Sequence, residues 1–148
     1  MPPYIEGVPI DNLLQEIYAT ATPKAAEHGV RVQVEVIAWE RLVAAADAQW
    51  LRHVLLHFVD DAIASSKGGT VRIQAYPCPD DVRLTIEVRE EGDGQPAAQP
   101  RWNVEGLESQ MRRMAGDLIT VRSPDGSRAV YCHLPQWVPE PSDRVFAA

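Results

Sequence analysis

An amphipathic helical pattern over residues 47–66 constrains this chain more than any other stretch of its sequence. Apolar residues recur there three and four positions apart, which is the spacing that places side chains on one face of an α-helix. The opposite face is polar. The pattern therefore predicts one long helix, capped by Asp47, with one side packed against a core. The apolar positions are Leu51, Val54, Leu55, Phe58, Val59, Ala62 and Ile63, and the polar positions are His53, His57, Asp60 and Asp61.

Strand-like runs occur in pairs between the helical segments. The order along the chain is helix, two strands, helix, two strands, helix, two strands. Such paired strands with intervening helices predict an α+β fold, in which a mixed sheet is covered on one face by helices. The first helix follows Asp11 as a cap, should bend or restart at Pro23, and ends at Gly29. The predicted strands are Val30–Ile37, Arg41–Ala46, Val71–Ala75, Val82–Val88, Leu118–Val121 and Ala129–Leu134, and the third helix is Val104–Ala115.

The chain of 148 residues suits a single domain. We expect residues 1–9 to be a lead-in, residues 10–137 to form the domain, and residues 138–148 to be a flexible tail. The formal charge of −7 argues against nonspecific binding of nucleic acid. No apolar run approaches the roughly 20 residues of a membrane helix. The two cysteines, Cys78 and Cys132, form neither a disulfide framework nor a zinc motif, and they favour a cytoplasmic location.

Two sequence motifs indicate a nucleotide pocket. The long helix contains the run Leu-Leu-His-Phe-Val-Asp-Asp-Ala-Ile-Ala over residues 55–64, and the later hairpin ends in Glu-Glu-Gly-Asp-Gly over residues 90–94. Their order and spacing resemble the ATP-binding domain of sensor histidine kinases (HATPase_c), in the superfamily that also holds gyrase, Hsp90 and MutL (GHKL). The resemblance runs from about Val8 to Gln136. It implies a two-layer α/β sandwich of the Bergerat type, with ATP and magnesium as ligands.

The resemblance assigns roles to three positions of the long helix. Asp61 stands where the family has the asparagine that coordinates magnesium, and a carboxylate oxygen is a suitable hard ligand. His57 replaces the family's first asparagine, and its imidazole keeps one hydrogen bond for the nucleotide. Ala64 replaces the usual lysine, which removes a positive charge from the phosphate site. The alternative is that the acidic pair of this helix is only a solvated face.

Glu90 stands where the family has an aspartate that accepts a hydrogen bond from the adenine amino group. Its extra methylene displaces the carboxylate by about 1.5 Å if nothing else adjusts. Gly92 and Gly94 keep the family's spacing, and glycines there allow the backbone to approach the base. The alternative interpretation of the Gly-x-Gly pattern is an ordinary loop.

The phosphate-binding part of the family pattern is the most changed. The glycine-rich run that opens the third helix retains only Gly106, and the neighbouring Glu105 and Glu108 have the wrong charge for phosphates. Ser127 follows a turn where the family's hydroxyl touches the nucleotide, although a hairpin turn needs no ligand.

Two functions follow from the resemblance. One is the ATP-binding catalytic domain of a two-component histidine kinase, acting on a histidine-containing helical hairpin; the missing lysine and glycines then predict weak ATP binding. The other is a non-enzymatic docking module for such a hairpin or for a response regulator. None of the four histidines is followed by an acidic residue, which is the usual mark of the phosphorylated histidine. The chain is therefore expected to be an excised catalytic domain or a stand-alone relative.

Overall fold

The computed structural model describes residues 2–38, 40–66, 68–79, 82–91, 105–124 and 127–138. Three helices and seven strands lie within these residues. No helix of this described part is long and apolar enough to cross a membrane. In chain order the elements are β1 Glu6–Pro9, α1 Ile10–Glu27, β2 Arg31–Val36, β3 Val43–Ala46, α2 Ala48–Ser65, β4 Thr70–Pro77, β5 Arg83–Glu91, α3 Glu105–Arg113, β6 Asp117–Arg122 and β7 Arg128–Pro135.

Five strands form one mixed sheet in the order β2-β4-β5-β7-β6. The β2–β4 pair is parallel, and the other three pairs are antiparallel. The parallel pair is joined by β3 and α2, because parallel neighbours need a crossover connection. Strands β1 and β3 make a separate antiparallel pair. The helices supply buried side chains to the same core as the sheet, so the predicted α+β sandwich is confirmed.

Helix α2 packs against the core through the seven apolar residues that the sequence pattern assigned to its buried face. All seven are at most 1% exposed. The carboxylate of Asp47 holds two segments at once. Its Oδ1 accepts hydrogen bonds from the backbone N–H groups of Gln49 and Trp50, and its Oδ2 accepts one from Tyr4. The cap therefore fixes both the start of α2 and the N-terminal segment.

The structure differs from the sequence predictions near the N-terminus. Part of the expected lead-in, Glu6–Pro9, forms β1, because β3 supplies a complete pairing partner for it. Pro9 rather than Asp11 occupies the N-cap of α1, without a side-chain cap, and Asp11 lies in the first turn. Helix α1 continues through Pro23 instead of restarting there. Other element ends shift by one to three residues, the largest shift being at the end of β5, and most of the predicted tail, residues 139–148, lies outside the described residues.

The two cysteines lie in different surroundings. Cys132 is completely buried on β7, and burial, reinforced by the charge of Asp117, raises the pKa of its thiol from 9.0 to about 12. Cys78 is half-buried after β4. Because the thiolate is the reactive form, we expect Ellman's reagent to modify one thiol rapidly at pH 8 and the second only on unfolding. The Cys78→Ser variant should lose the rapid phase; a rapid phase in that variant would contradict the buried position of Cys132.

The raised pKa of Cys132 also makes the free energy of unfolding depend on pH. The folded thiol keeps its proton more tightly than the unfolded thiol, so its contribution is complete below pH 9 and is lost as the pH rises toward 12. Urea unfolding of the unmodified chain at a series of pH values above 9 should show this loss of stability, and the Cys132→Ala variant should lack this component of it.

Candidate functional site

A cavity lies between the polar face of α2 and the beginning of α3. Its volume is about 270 Å³, and its described lining is polar on the α2 side. Small-molecule sites usually measure roughly 300–1,000 Å³, so the described walls enclose space for a small group. Two predicted site residues, His57 and Gly106, line this cavity. The lining residues are His53, His57, Gly106, Leu107 and Gln110.

Two predicted site residues of α2 contact each other. The Nε2 atom of His57 lies 3.3 Å from Oδ2 of Asp61, one helical turn later, and each side chain is 36% exposed. The two groups are close enough for an ion pair when the imidazole is protonated. Their alignment is not that of a hydrogen bond, and Nε2 has no hydrogen-bond partner in the described part of the chain. The Asp61 carboxylate is therefore turned along the helix, toward His57.

The other acidic residue of this face points elsewhere. Asp60 Oδ1 lies 3.8 Å from Nζ of Lys24 on α1, in an exposed pair that contributes little to stability. Ala64, where the sequence resemblance predicts a lysine, is exposed. Within the described residues, no group of three or more His, Cys, Asp or Glu side chains is arranged to hold a metal ion. Asp61 is therefore not part of such a group within the described residues, and a magnesium ion there would need further oxygen ligands.

Glu90 is held by a buried arginine on the neighbouring strand. The Nε and Nη2 atoms of Arg128 donate to the two carboxylate oxygens of Glu90 at 2.5 and 2.8 Å. Nη2 also donates to Oγ of Ser65 at the end of α2, at 3.0 Å. Glu90 is 5% exposed and Arg128 is 4% exposed. This two-pronged pairing in a dry environment is the strongest ionic contact that arginine makes with a carboxylate.

The strand geometry explains why these two charges meet. Successive residues of a strand point to opposite faces, so Glu90 lies on the same face of β5 as the buried Val88. Arg128 likewise shares a face of β7 with the buried Val130. Val88 pairs with Val130 in the β5–β7 register, and the next positions on that face are Glu90 and Arg128. Both charged side chains are therefore directed into the helix-covered side of the sheet.

Of the remaining predicted site residues, Gly106 and Ser127 belong to the described part of the chain. Gly106 is the second residue of α3 and lines the cavity. Ser127 is half-buried before β7, and its carbonyl accepts a hydrogen bond from the backbone N–H of Ser123. Gly92 and Gly94 lie outside the described residues, so the two glycines at the end of the hairpin stay a prediction.

No protein-family model matches this chain, and no curated protein sequence matches it. Several solved structures, in contrast, match its fold. The nucleotide-free catalytic domain of the histidine kinase ThkA superposes with a TM-score of 0.74 at 18% identity, covering 93% of this chain and 99% of that one. The chain has the fold of a histidine kinase catalytic domain. Full-length ShkA in complex with AMPPNP gives a TM-score of 0.77 at 20% identity, over 94% of this chain and 32% of that one. The mycobacterial sensor kinase MprB gives 0.70 at 17% identity, over 88% of this chain and 98% of that one.

Within this histidine-kinase-type fold, Arg128 is the site residue that the sequence patterns did not single out. A signal for it was present. Arg128 directly precedes an alternating run in which Val130, Cys132 and Leu134 face the core, so it continues the buried face of that strand. A charge in such a position needs a buried partner.

Proposed function

We propose that this chain is a histidine-kinase-type domain that has lost nucleotide binding and acts as a non-enzymatic docking module. Its partner would be a histidine-containing helical hairpin or a response regulator. The observation that carries the proposal is the buried pair of Glu90 and Arg128. The family resemblance gives Glu90 the task of reading adenine, but here the arginine fork occupies both carboxylate oxygens.

Two further observations support the loss of nucleotide binding. Asp61 and His57 lie against each other on α2, and Ala64 adds no positive charge beside them. A triphosphate placed there would meet the Asp61 carboxylate, and the residue at position 64 adds no positive charge to offset it, which opposes binding. The helices and the sheet, in contrast, are present within the described residues, and the outward faces of α1 and α2 carry exposed side chains. In the ThkA–TrrA complex, a kinase of the same fold is bound to a response regulator protein.

The second candidate function is a weakly ATP-binding kinase domain. The cavity between α2 and α3 favours it, because His57 Nε2 and Gln110 Oε1 both lie at this site without hydrogen-bond partners among the described residues. A ligand that supplies those partners would gain the hydrogen bonds that these atoms otherwise lack. Nucleotide affinity separates the two functions.

Calorimetric titration with ATP and magnesium tests the proposal. We expect no saturable heat at nucleotide concentrations up to several times 1 mM. A dissociation constant of about 1 mM corresponds to about 4 kcal/mol of binding free energy, and we take it as the limit. Saturable binding tighter than that limit would favour the kinase function and end the docking-only interpretation. The same samples, incubated with a histidine-containing hairpin domain, should yield no phosphohistidine.

Two variant sets identify which change removed binding. Glu90→Asp with Arg128→Thr removes the internal ion pair and leaves a shorter acid for adenine. Asp61→Asn with Ala64→Lys restores the phosphate side. If the ion pair is the main obstacle, the first set should bind ATP more tightly than the second. Thermal unfolding of each variant is needed first, so that a loss of fold is not scored as a loss of binding.

A further inference from the structure

Two histidines on the polar face of α2 line the same cavity. His53 and His57 are one helical turn apart, a spacing that places their side chains next to each other on one face of the helix. We propose that this pair of imidazoles binds a divalent transition-metal ion of the zinc type in the cavity between α2 and α3. The site needs no nucleotide and does not rest on the proposed docking function, whichever result the ATP titration gives.

Two polar atoms at this cavity are almost completely covered and make no hydrogen bond. They are His57 Nε2 and Gln110 Oε1, and neither has a partner among the described residues. The lone pair of a neutral imidazole nitrogen can bind a metal ion, and so can the carbonyl oxygen of an amide. A covered polar atom without a partner costs free energy, and an ion that both atoms reach would remove this cost. Both helices therefore supply a ligand for the proposed ion.

The charges beside the histidine pair favour a cation. The Asp61 carboxylate lies 3.3 Å from His57 Nε2, so negative charge adjoins the proposed ligand. A positive charge is present at the other end of the pair, where the guanidinium of Arg113 lies over the ring of Trp50, 4.8 Å from its centroid. Trp50 precedes His53 on α2, whereas Asp61 follows His57. The carboxylate that opposes a triphosphate is thus the charge nearest to the imidazole nitrogen, and it attracts a metal ion.

The ligand types determine which ion the site selects. Imidazole nitrogen suits zinc, copper and nickel, whereas magnesium prefers oxygen ligands. Two imidazoles and one amide oxygen leave a fourth tetrahedral position for water. A Cβ atom at Gly106 would meet nothing within 4 Å, so the α3 wall has room for that water. Because no three His, Cys, Asp or Glu side chains of the described part converge on one ion, the site is an open one rather than a closed structural site.

Calorimetric titration with zinc chloride tests the site. The chain should be free of any affinity tag and carry Cys78→Ser, so that neither a tag nor the half-buried thiol competes for zinc. We expect one zinc ion per chain with a dissociation constant below about 100 µM. Magnesium at about 10 mM should leave this affinity unchanged, since it is a poor partner for nitrogen. The absence of saturable zinc binding would overturn the proposal.

Removing either imidazole should weaken the binding of zinc. His53→Gln and His57→Gln each keep a polar side chain on the outer face of α2, and we expect each to raise the dissociation constant at least about tenfold. The matched controls are His28→Gln and His133→Gln, because these two imidazoles do not line the cavity and are hydrogen-bonded elsewhere in the fold. Circular dichroism without metal verifies that all four variants are folded. Controls that lose zinc as strongly as the α2 variants would place the ion elsewhere and contradict the proposal.

A gain of affinity tests the ligand from α3. Gln110→His replaces the amide by a third imidazole, so zinc should bind at least about tenfold more tightly. Ser109→His is the matched control, because Ser109 is exposed on the same helix and does not line the cavity. Equal zinc affinities of these two variants would contradict an ion held between α2 and α3.

Discussion

Replacing Arg128 by methionine is expected to lower the free energy of unfolding by about 3–5 kcal/mol, the usual result of removing one partner from a buried ion pair. Methionine keeps most of the side-chain length, so the loss reports the charge and hydrogen bonds rather than a large cavity. The Glu90 carboxylate would stay buried on β5 without a positive partner, and Ser65 Oγ would lose the hydrogen bond that Arg128 donates. Urea unfolding followed by circular dichroism measures the effect.

Two further variants show whether this loss of stability arises because the ion pair is buried. Arg72→Met removes an arginine whose Nε lies 3.3 Å from Glu91, but that pair is exposed, so we expect a loss below about 1 kcal/mol. Glu90→Leu combined with Arg128→Met removes both buried charges and should recover most of the stability. If the double variant is as unstable as Arg128→Met alone, the ion pair is not the cause of the loss.

The second large effect is expected at Gly116, between α3 and β6. A Cβ atom added there would lie 2.4 Å from the backbone oxygen of His133 and 2.9 Å from Cδ2 of Leu134. The first of these atoms belongs to the backbone of β7 and has no rotamer that would move it away. Gly116→Ala should therefore lower the free energy of unfolding by about 3 kcal/mol, at the upper end of overpacking effects.

Gly106→Ala is the natural control for Gly116→Ala. A Cβ atom at Gly106 would meet nothing within 4 Å, and the residue lies in α3. Alanine favours a helix over glycine, so stability should stay level or rise by up to about 1 kcal/mol. Thermal unfolding of both variants at the same pH gives the comparison. An unchanged melting temperature for Gly116→Ala would mean that β6 and β7 sit farther from this turn than described.

Local patterns were sufficient to predict most of the architecture. The buried stripe of α2 follows from spacing alone, because one helix face must cover the sheet. Strand β1 could not be predicted in the same way. Its sequence, Glu-Gly-Val-Pro, contains two residues that strands disfavour, and the segment becomes a strand only because β3 pairs with it. Pairing with a distant segment is not encoded in the local pattern.

The site shows the same limit more sharply. The resemblance predicts an aspartate at position 90, and the sequence shows that glutamate, with its longer side chain, stands there instead. The partner itself was not visible, since Arg128 lies 38 residues away and meets Glu90 only through the β5–β7 register. The alternating pattern of β7 predicts that Arg128 is buried, but it does not predict which acidic residue pairs with it.

The contact that joins Ser65, Glu90 and Arg128 also determines how the chain can be divided. Its members come from the middle of the sequence and from β7, so no N-terminal fragment that stops before Arg128 contains them all. A product that stops before Arg128 would enclose an acid with nothing to neutralise it. Folding should accordingly be completed only when β7 is in place, and a chain emerging from the ribosome would acquire this fold only after β7 has been synthesised.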